Sequence, residues 1–324
     1  MPAVAHSFRL GVNYPWLHYA EDFGGSANRH VGVSHPEIRK SVALDFERIA
    51  DSGATVVRWF LFGDGRGGFV SENEIPRRPD AFLFSDVAAA LEVAAHYHLK
   101  LCFSLIDYLW LQDHAGKPSP HPHEHMLHFA AAREAFLLKV LIPLFQEFRE
   151  HPALYAWEIA NEPEWAIREF CRETDAQVHF ADFRAYADEI ARAVHEFGSL
   201  PATLGSARFM WLRAWCELPL DLYQVHYYPS AEPGTKGGLA QQLTEFARLD
   251  KPLWLGELPA RDPADPAYSL HHALNVCFQA RLCGAAVWRW TKPEAHGTDS
   301  LVGQVDPTDL KQWSSETYSK TQRA

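Results

Sequence analysis

Two glutamates in the sequence each follow directly after an apolar segment. Glu162 ends YAWEIANE, and Glu257 ends PLWLGE. A pair of carboxyl groups can cleave a glycosidic bond, because a protonated carboxyl releases the leaving oxygen while an ionised one attacks the anomeric carbon. The pair therefore predicts acid and nucleophilic chemistry that requires no cofactor and no metal.

Other polar residues that end apolar segments suit this division of roles. An arginine near a carboxylate lowers its pKa, a tyrosine hydroxyl can donate a hydrogen bond to it, and an asparagine can hold a sugar 2-hydroxyl. Tryptophan rings can stack on the apolar faces of sugars. The candidate substrate-binding residues are Arg58, Asn161, His226, Tyr228, Trp288, Trp110 and Trp165.

Eight short apolar or aromatic segments, most of them separated by helical patterns, must position these residues. Near-continuous apolar strands that alternate with helices indicate a parallel sheet covered on both faces, and eight such units predict a (β/α)8 TIM barrel. The two glutamates end the fourth and seventh strands, so we expect them to face each other across the barrel mouth, about 5 to 5.5 Å apart. The predicted strands lie near 9–14, 55–62, 99–107, 153–161, 201–206, 222–228, 252–257 and 284–290.

The helical patterns are clearest at residues 36–52. An apolar stripe runs along this segment, Gly53 follows its end, and Ser34 and Glu37 have the spacing of a capping box. Similar stripes occupy about 85–98, 129–150, 177–198, 238–249 and 267–282. No break in composition marks a linker, so the sequence predicts one catalytic domain over residues 1–324.

Five segments together resemble a known group of enzymes. WEIANEP at 157–163 looks like the fourth-strand signature of the clan A glycoside hydrolases, and the wider pattern is most similar to family 5. The other matching segments are VVRWFLFGDG, QVHYYP, KPLWLGE and AVWRW, which resemble strands two, six, seven and eight of the family 5 mannanases. The resemblance covers nearly the whole barrel.

The resemblance implies a retaining β-glycosidase with Glu162 as acid/base and Glu257 as nucleophile. It also implies that Arg58 lies near the nucleophile, that Asn161 contacts the 2-hydroxyl, and that the other matching residues bind sugar: Tyr228, His226 and Trp288. The expected substrates are β-linked hexopyranosides, β-mannosides first and β-glucosides second. Two segments depart from the family pattern, SLIDYLW after the third strand and ELPA at the seventh, and both bear on the choice of substrate.

The charge balance of the chain argues against anionic partners. Its 30 Lys and Arg against 41 Asp and Glu give a formal charge of −11, which repels nucleic acid and anionic lipid. The opening MPAVAHSFRL lacks the apolar run of a secretory signal, so we expect a cytoplasmic protein, or a secreted one if the native gene encodes a signal. The cysteines are odd in number and widely spaced, which predicts reduced thiols: Cys102, Cys171, Cys216, Cys277 and Cys283.

Three alternatives remain open from the residues. The same two glutamates would serve a transglycosylase, in which a sugar hydroxyl replaces water as the acceptor. A barrel of this kind can also bind glycans without catalysis, and the histidine-rich segment 114–128 has the composition of a metal site, although its spacing does not match a zinc-peptidase motif. The residues carry no signal for the oligomeric state.

Overall fold

Eight parallel strands close into a barrel in the computed structural model, which describes residues 8–25, 30–111, 125–171, 178–232, 238–262, 265, 267–291 and 303–321. The barrel strands are β1 Arg9–Asn13, β2 Val56–Phe60, β5 Lys100–Asp107, β6 Leu154–Asn161, β7 Ala202–Ser206, β8 Tyr223–His226, β9 Leu253–Pro259 and β10 Gly284–Trp288. Their order around the barrel is β1-β10-β9-β8-β7-β6-β5-β2. The predicted (β/α)8 barrel and all eight predicted strands are confirmed.

A short antiparallel hairpin, which the sequence pattern did not predict, follows β2. Its strands are β3 Phe69–Glu72 and β4 Ile75–Pro79. Asn73 and Glu74 connect them, and both have positive φ angles, of 51° and 62°. Two consecutive left-handed residues are typical of a type I′ turn, in which glycine normally follows asparagine. Glutamate in the second position conceals this turn from sequence analysis.

Helices cover the outside of the barrel. They are α1 Pro36–Asp51, α2 Leu83–His96, α3 His125–His128, α4 Ala130–Phe136, α5 Ile142–Glu147, α6 Phe180–Phe197, α7 Phe209–Leu212, α8 Gly238–Glu245, α9 Leu270–Gln279 and α10 Pro307–Thr321. The predicted helix at 129–150 is present, with a π-helical turn at Leu137–Leu141 between α4 and α5. In the described residues no helix has the length and apolar character to cross a bilayer.

The start of α1 differs from the predicted capping box. The N-cap is His35, which makes no side-chain cap bond, and Pro36 opens the helix. The Ser34 hydroxyl instead donates to Asp86 Oδ1 at 2.5 Å. Asp86 is a fully buried carboxylate in α2, and such a group needs several donors, so it takes the hydroxyl that would have capped α1.

A tryptophan fills the barrel interior. Trp254 on β9 packs against β1 and β10, where Gly11 and Gly284 leave room for its ring. A Cβ atom at position 284 would lie 2.7 Å from Cζ3 of this indole. The five cysteines are free thiols, as predicted, and three of them are buried: Cys102, Cys277 and Cys283.

Candidate active site

The two predicted glutamates meet at the carboxyl end of the barrel strands. Glu162 follows β6 directly, while Glu257 lies within β9 in register with His226. A carboxylate oxygen from each glutamate and a ring nitrogen of His226 all lie within 4.8 Å of one another. This upper limit fits the spacing of about 5 to 5.5 Å between the two carboxyl groups of retaining glycosidases better than the roughly 6.5 to 9.5 Å of inverting ones.

A left-handed backbone conformation directs Glu162 into the mouth. Its φ is 47°, and its N–H donates to the carbonyl of Gly205 at 2.8 Å. A non-glycine residue in this region is strained, and such strain is characteristic of functional positions. Pro163 then begins a short 3-10 helix that brings Trp165 back toward the carboxyl group.

The surroundings of Glu162 favour a proton on its carboxyl. The Trp165 indole N–H donates to Oε2 at 2.8 Å, and His226 Nδ1 lies 2.7 Å from Oε1. Burial raises the pKa of Glu162 to about 7, although the Trp165 hydrogen bond and the Arg58 charge lower it in part. Burial also disfavours the charged form of His226, which lowers its pKa to about 4, so the imidazole is neutral near pH 7. Glu162 can therefore exist as an acid at neutral pH.

The surroundings of Glu257 favour a negative charge more strongly. Oε1 accepts a hydrogen bond from Arg58 Nη1 at 2.8 Å, and Oε2 accepts one from the Tyr228 hydroxyl at 2.6 Å. Burial raises the pKa of this carboxyl, while His226, Arg58 and Tyr228 oppose the rise. Of the two glutamates, only Glu257 accepts a hydrogen bond directly from a cation. The two environments therefore favour a protonated Glu162 and an ionised Glu257.

Arg58 connects the buried polar residues beneath the two glutamates. All five of its N–H bonds are used, because the guanidinium also donates to Asn13 Oδ1 at 2.9 Å, to Asn161 Oδ1 at 2.7 Å, and to both oxygens of Glu158 at 2.6 Å. Burial alone would lower the pKa of Arg58, but the charge and hydrogen bonds of Glu158 keep it above its ordinary value.

The site also contains three residues that the sequence patterns did not predict: Asn13, Glu158 and Asp107. A glutamate in the middle of an apolar strand must be paired when that strand is buried, so Glu158 within YAWEIA carried a usable signal. Asp107 ends β5, and its Oδ1 lies 3.3 Å from Asn161 Nδ2. It also ends an apolar strand, which is the rule that identified the other candidates.

The three predicted tryptophans lie in different surroundings. Trp165 contacts the acid, as described above. Trp288 forms an aromatic wall with Trp16 and Phe60, and the three ring centroids lie 5.8 to 6.4 Å apart. Phe60 in turn lies under the Arg58 guanidinium, at 5.0 Å, so this wall adjoins the residue that holds Glu257.

Trp110 does not lie on the pocket surface, in contrast to the prediction. Its side chain is 1% exposed and packs against the rings of Phe62, Phe69 and Phe136. The reason is the unpredicted hairpin, since Phe69 on β3 helps to cover the indole. A tryptophan that follows a strand becomes buried when a neighbouring element has an apolar face against which its ring can pack.

The same cluster offers three ligand atoms to a cation, from Glu162, His226 and Glu257. All four carboxylate oxygens, however, already accept hydrogen bonds or contact the imidazole, and Glu257 is paired with a guanidinium. A metal ion would have to displace these partners, so the donor set fits acid and nucleophilic chemistry better. Residues 114–124 of the histidine-rich segment lie outside the described residues, so a metal site there stays a hypothesis.

Comparisons with known proteins agree with this architecture. A mannan endo-1,4-beta-mannosidase from Mytilus edulis is 23% identical over 92% of this chain and 87% of its own length. The crystal structure of an endo-1,4-beta-mannanase from Eisenia fetida matches with a TM-score of 0.75 at 18% identity, covering 95% of this chain and 90% of that one. A GH5_18 variant from Bifidobacterium longum, in complex with Manb1-4GlcNAc, matches with a TM-score of 0.67 at 13% identity, covering 97% and 79%. No protein-family model matches the chain.

Fold and relatives together indicate the class of protein, a glycoside hydrolase on a (β/α)8 barrel. Within that class the chain is similar to the family 5 mannanases. The resemblance seen in the sequence is thus confirmed.

Proposed function

We propose that the protein is a retaining β-glycosidase that hydrolyses β-mannosides by double displacement. The observation that carries this proposal is the facing pair of Glu162 and Glu257, with their opposite sets of partners. The mannanase relatives support the choice of sugar. The protein's partner in this proposal is a carbohydrate, and the reaction needs no cofactor.

In the first step, a carboxylate oxygen of Glu257 attacks the anomeric carbon and the glycosidic C–O bond breaks. The proton of Glu162 passes to the leaving oxygen, so the aglycone departs as an alcohol. The sugar is then held as an ester on Glu257, and Glu162 is left ionised.

In the second step, water attacks the anomeric carbon. Glu162 accepts the proton of that water, and the bond to Glu257 breaks, which regenerates both groups. Arg58 and Tyr228 stabilise the charge on Glu257 before and after the ester exists. Asn161 presents its Nδ2 toward the sugar 2-hydroxyl, because Arg58 already occupies its Oδ1.

Replacing each glutamate in turn should reveal their separate roles. On aryl β-mannosides, Glu257→Ala should lose about 1,000-fold or more of its turnover on every leaving group. Glu162→Ala should lose about 100- to 10,000-fold on poor leaving groups and far less on activated phenols, which need little protonation. Azide should restore turnover in both variants, yielding the α-glycosyl azide with Glu257→Ala and the β-glycosyl azide with Glu162→Ala.

Glu164→Gln is the matched control, because Glu164 is a buried glutamate that bonds Ser206 and Trp215 instead of facing the pair. It should keep nearly all activity. Undiminished turnover by Glu257→Ala, or β-azide as its product, would contradict the proposed nucleophile.

A further inference from the structure

Asp107 lies beside Asn161 at the ends of two adjacent barrel strands. The two residues are register partners across β5 and β6, so the barrel backbone itself brings their side chains together. Asp107 Oδ1 lies 3.3 Å from Asn161 Nδ2, and Asp107 is only 5% exposed. The proposed mechanism has not used this carboxyl group.

The Asn161 amide has a fixed orientation because its two ends meet opposite partners. Its Oδ1 accepts a hydrogen bond from the Arg58 guanidinium at 2.7 Å, and its Nδ2 faces the Asp107 carboxyl. A flipped amide would bring two donors together at Arg58 and two acceptors together at Asp107. Arg58 and Asp107 together therefore fix the orientation of the planar amide.

The position of Asp107 is costly for a residue that serves packing alone. Burial raises the pKa of Asp107 to about 8, the hydrogen bond from Asn161 lowers it in part, and the negative charges of Glu162 and Glu257 raise it further. Tyr19, from the loop after β1, also interacts electrostatically with this carboxyl. A carboxyl group kept beside two others is characteristic of a functional site.

We propose that Asp107 is a positioning residue that aims the Asn161 amide at the sugar 2-hydroxyl and thereby sets the selectivity of the site at that carbon. The inference rests on the proposed function, since it requires a sugar bound between Glu162 and Glu257. As a neutral acid, Asp107 can accept from Asn161 and also donate its own proton to a substrate oxygen.

The test compares an aryl β-mannoside with the corresponding 2-deoxy glycoside. Asp107→Leu keeps the branching of the side chain but has no polar atom. It should lower kcat/KM for the mannoside by about 10- to 100-fold, the loss of one or two hydrogen bonds in the transition state. For the 2-deoxy glycoside the loss should stay below about 3-fold, because the contact with the 2-hydroxyl no longer exists.

Asp107→Asn still offers an oxygen to Asn161 Nδ2 and should keep the ratio of the two substrates within about 3-fold of wild type. Asp262→Leu is the control, since Asp262 is a similarly buried aspartate after β9 that accepts from the Ser230 backbone N–H. It should leave the ratio unchanged. If Asp107→Leu does not fold, Asp107→Ser, which is too short to reach the amide, replaces it with the same expected result.

Equal losses on both substrates, or no loss on either, would overturn the inference, as would a collapse of the ratio in Asp107→Asn. These outcomes are distinct from a failure of the proposed function. In that case the wild-type protein itself would not hydrolyse the mannoside.

Discussion

At the scale of single residues, the difference between the two glutamates comes from their hydrogen-bond partners. Glu162 contacts a neutral indole and a neutral imidazole, whereas Glu257 contacts a guanidinium and a phenol. Identical side chains thus acquire different proton affinities from different neighbours, of which only Trp165 lies close to its glutamate in the chain.

The pH dependence of activity should report the proton on Glu162. Its pKa is raised to about 7, and the acid must be protonated, so kcat/KM should fall as the pH rises above that value. The Trp165 hydrogen bond stabilises the ionised form and lowers the pKa. Trp165→Phe should therefore move the alkaline limb of the profile to higher pH.

Trp211→Phe is the matched control for this measurement. Trp211 touches the Trp165 ring, with centroids 5.3 Å apart, whereas the indole N–H that donates to Glu162 belongs to Trp165. Its profile should match that of wild type. An alkaline limb that stays in place, or moves to lower pH, in Trp165→Phe would show that this indole does not tune the acid.

At the scale of elements, β7 shows how the site shapes a strand. Gly205 leaves space for side chains from β6 and β8, and a Cβ there would lie 2.5 Å from Glu158 Oε1 and 3.1 Å from His226 Nε2. Of the eight predicted strands, 201–206 has the weakest pattern because it contains little β-branched content, and Gly205 weakens its strand character further. Part of the weak signal is a consequence of the room that the site needs.

Gly205→Ala should therefore damage catalysis as well as stability. The added methyl displaces Glu158, which orients Arg58, and we expect kcat to fall by about 10- to 100-fold with a loss of about 1 to 3 kcal/mol in the free energy of unfolding. Thr203→Ala, on the same strand, removes a hydrogen bond to the Leu222 carbonyl and one buried methyl group, and it adds no atom beside Glu158. This control should lower Tm and leave kcat near wild type, and a Gly205→Ala variant that did the same would contradict the argument.

At the scale of the whole molecule, several buried acids link folding to pH. Burial raises the pKa values of Asp22, Glu162 and Glu164 to about 7 and that of Asp107 to about 8. For an acid, a folded-state pKa above the unfolded value means that stability is lost as the pH rises from the unfolded pKa, about 4, through the folded pKa. His226 acts at the other end, because its pKa is lowered to about 4 and stability is lost as the pH falls from its unfolded value toward that point.

The melting temperature should accordingly decline as the pH rises from about 4.5 to about 8, because four acids lose stability over this range while His226 alone gains it. Glu164→Gln removes one of the titrating groups away from the catalytic pair, so the decline should become shallower in this variant. Thermal melts of both proteins across this range make the comparison. A melting temperature that rises from about pH 4.5 to 8 in wild type would contradict the assignment of these acids.

The sequence by itself determined the barrel, the bounds of its strands to within two or three residues, and the placement of Glu162 and Glu257 at one end. These follow from local patterns, since apolar period and strand ends are properties of neighbouring residues. The family resemblance also depended on short contiguous segments, and the fold comparisons agree with it.

Only the tertiary structure decided which side chains meet. Ser34 bonds Asp86 instead of capping α1, and Trp110 is covered by Phe69. Glu158 on β6 and Asp107 on β5 belong to the site, although the sequence patterns did not single them out. Each of these contacts joins residues that lie far apart in the chain. Burial and hydrogen-bond geometry decide which of these side chains come into contact, and neither is a property of a single sequence segment.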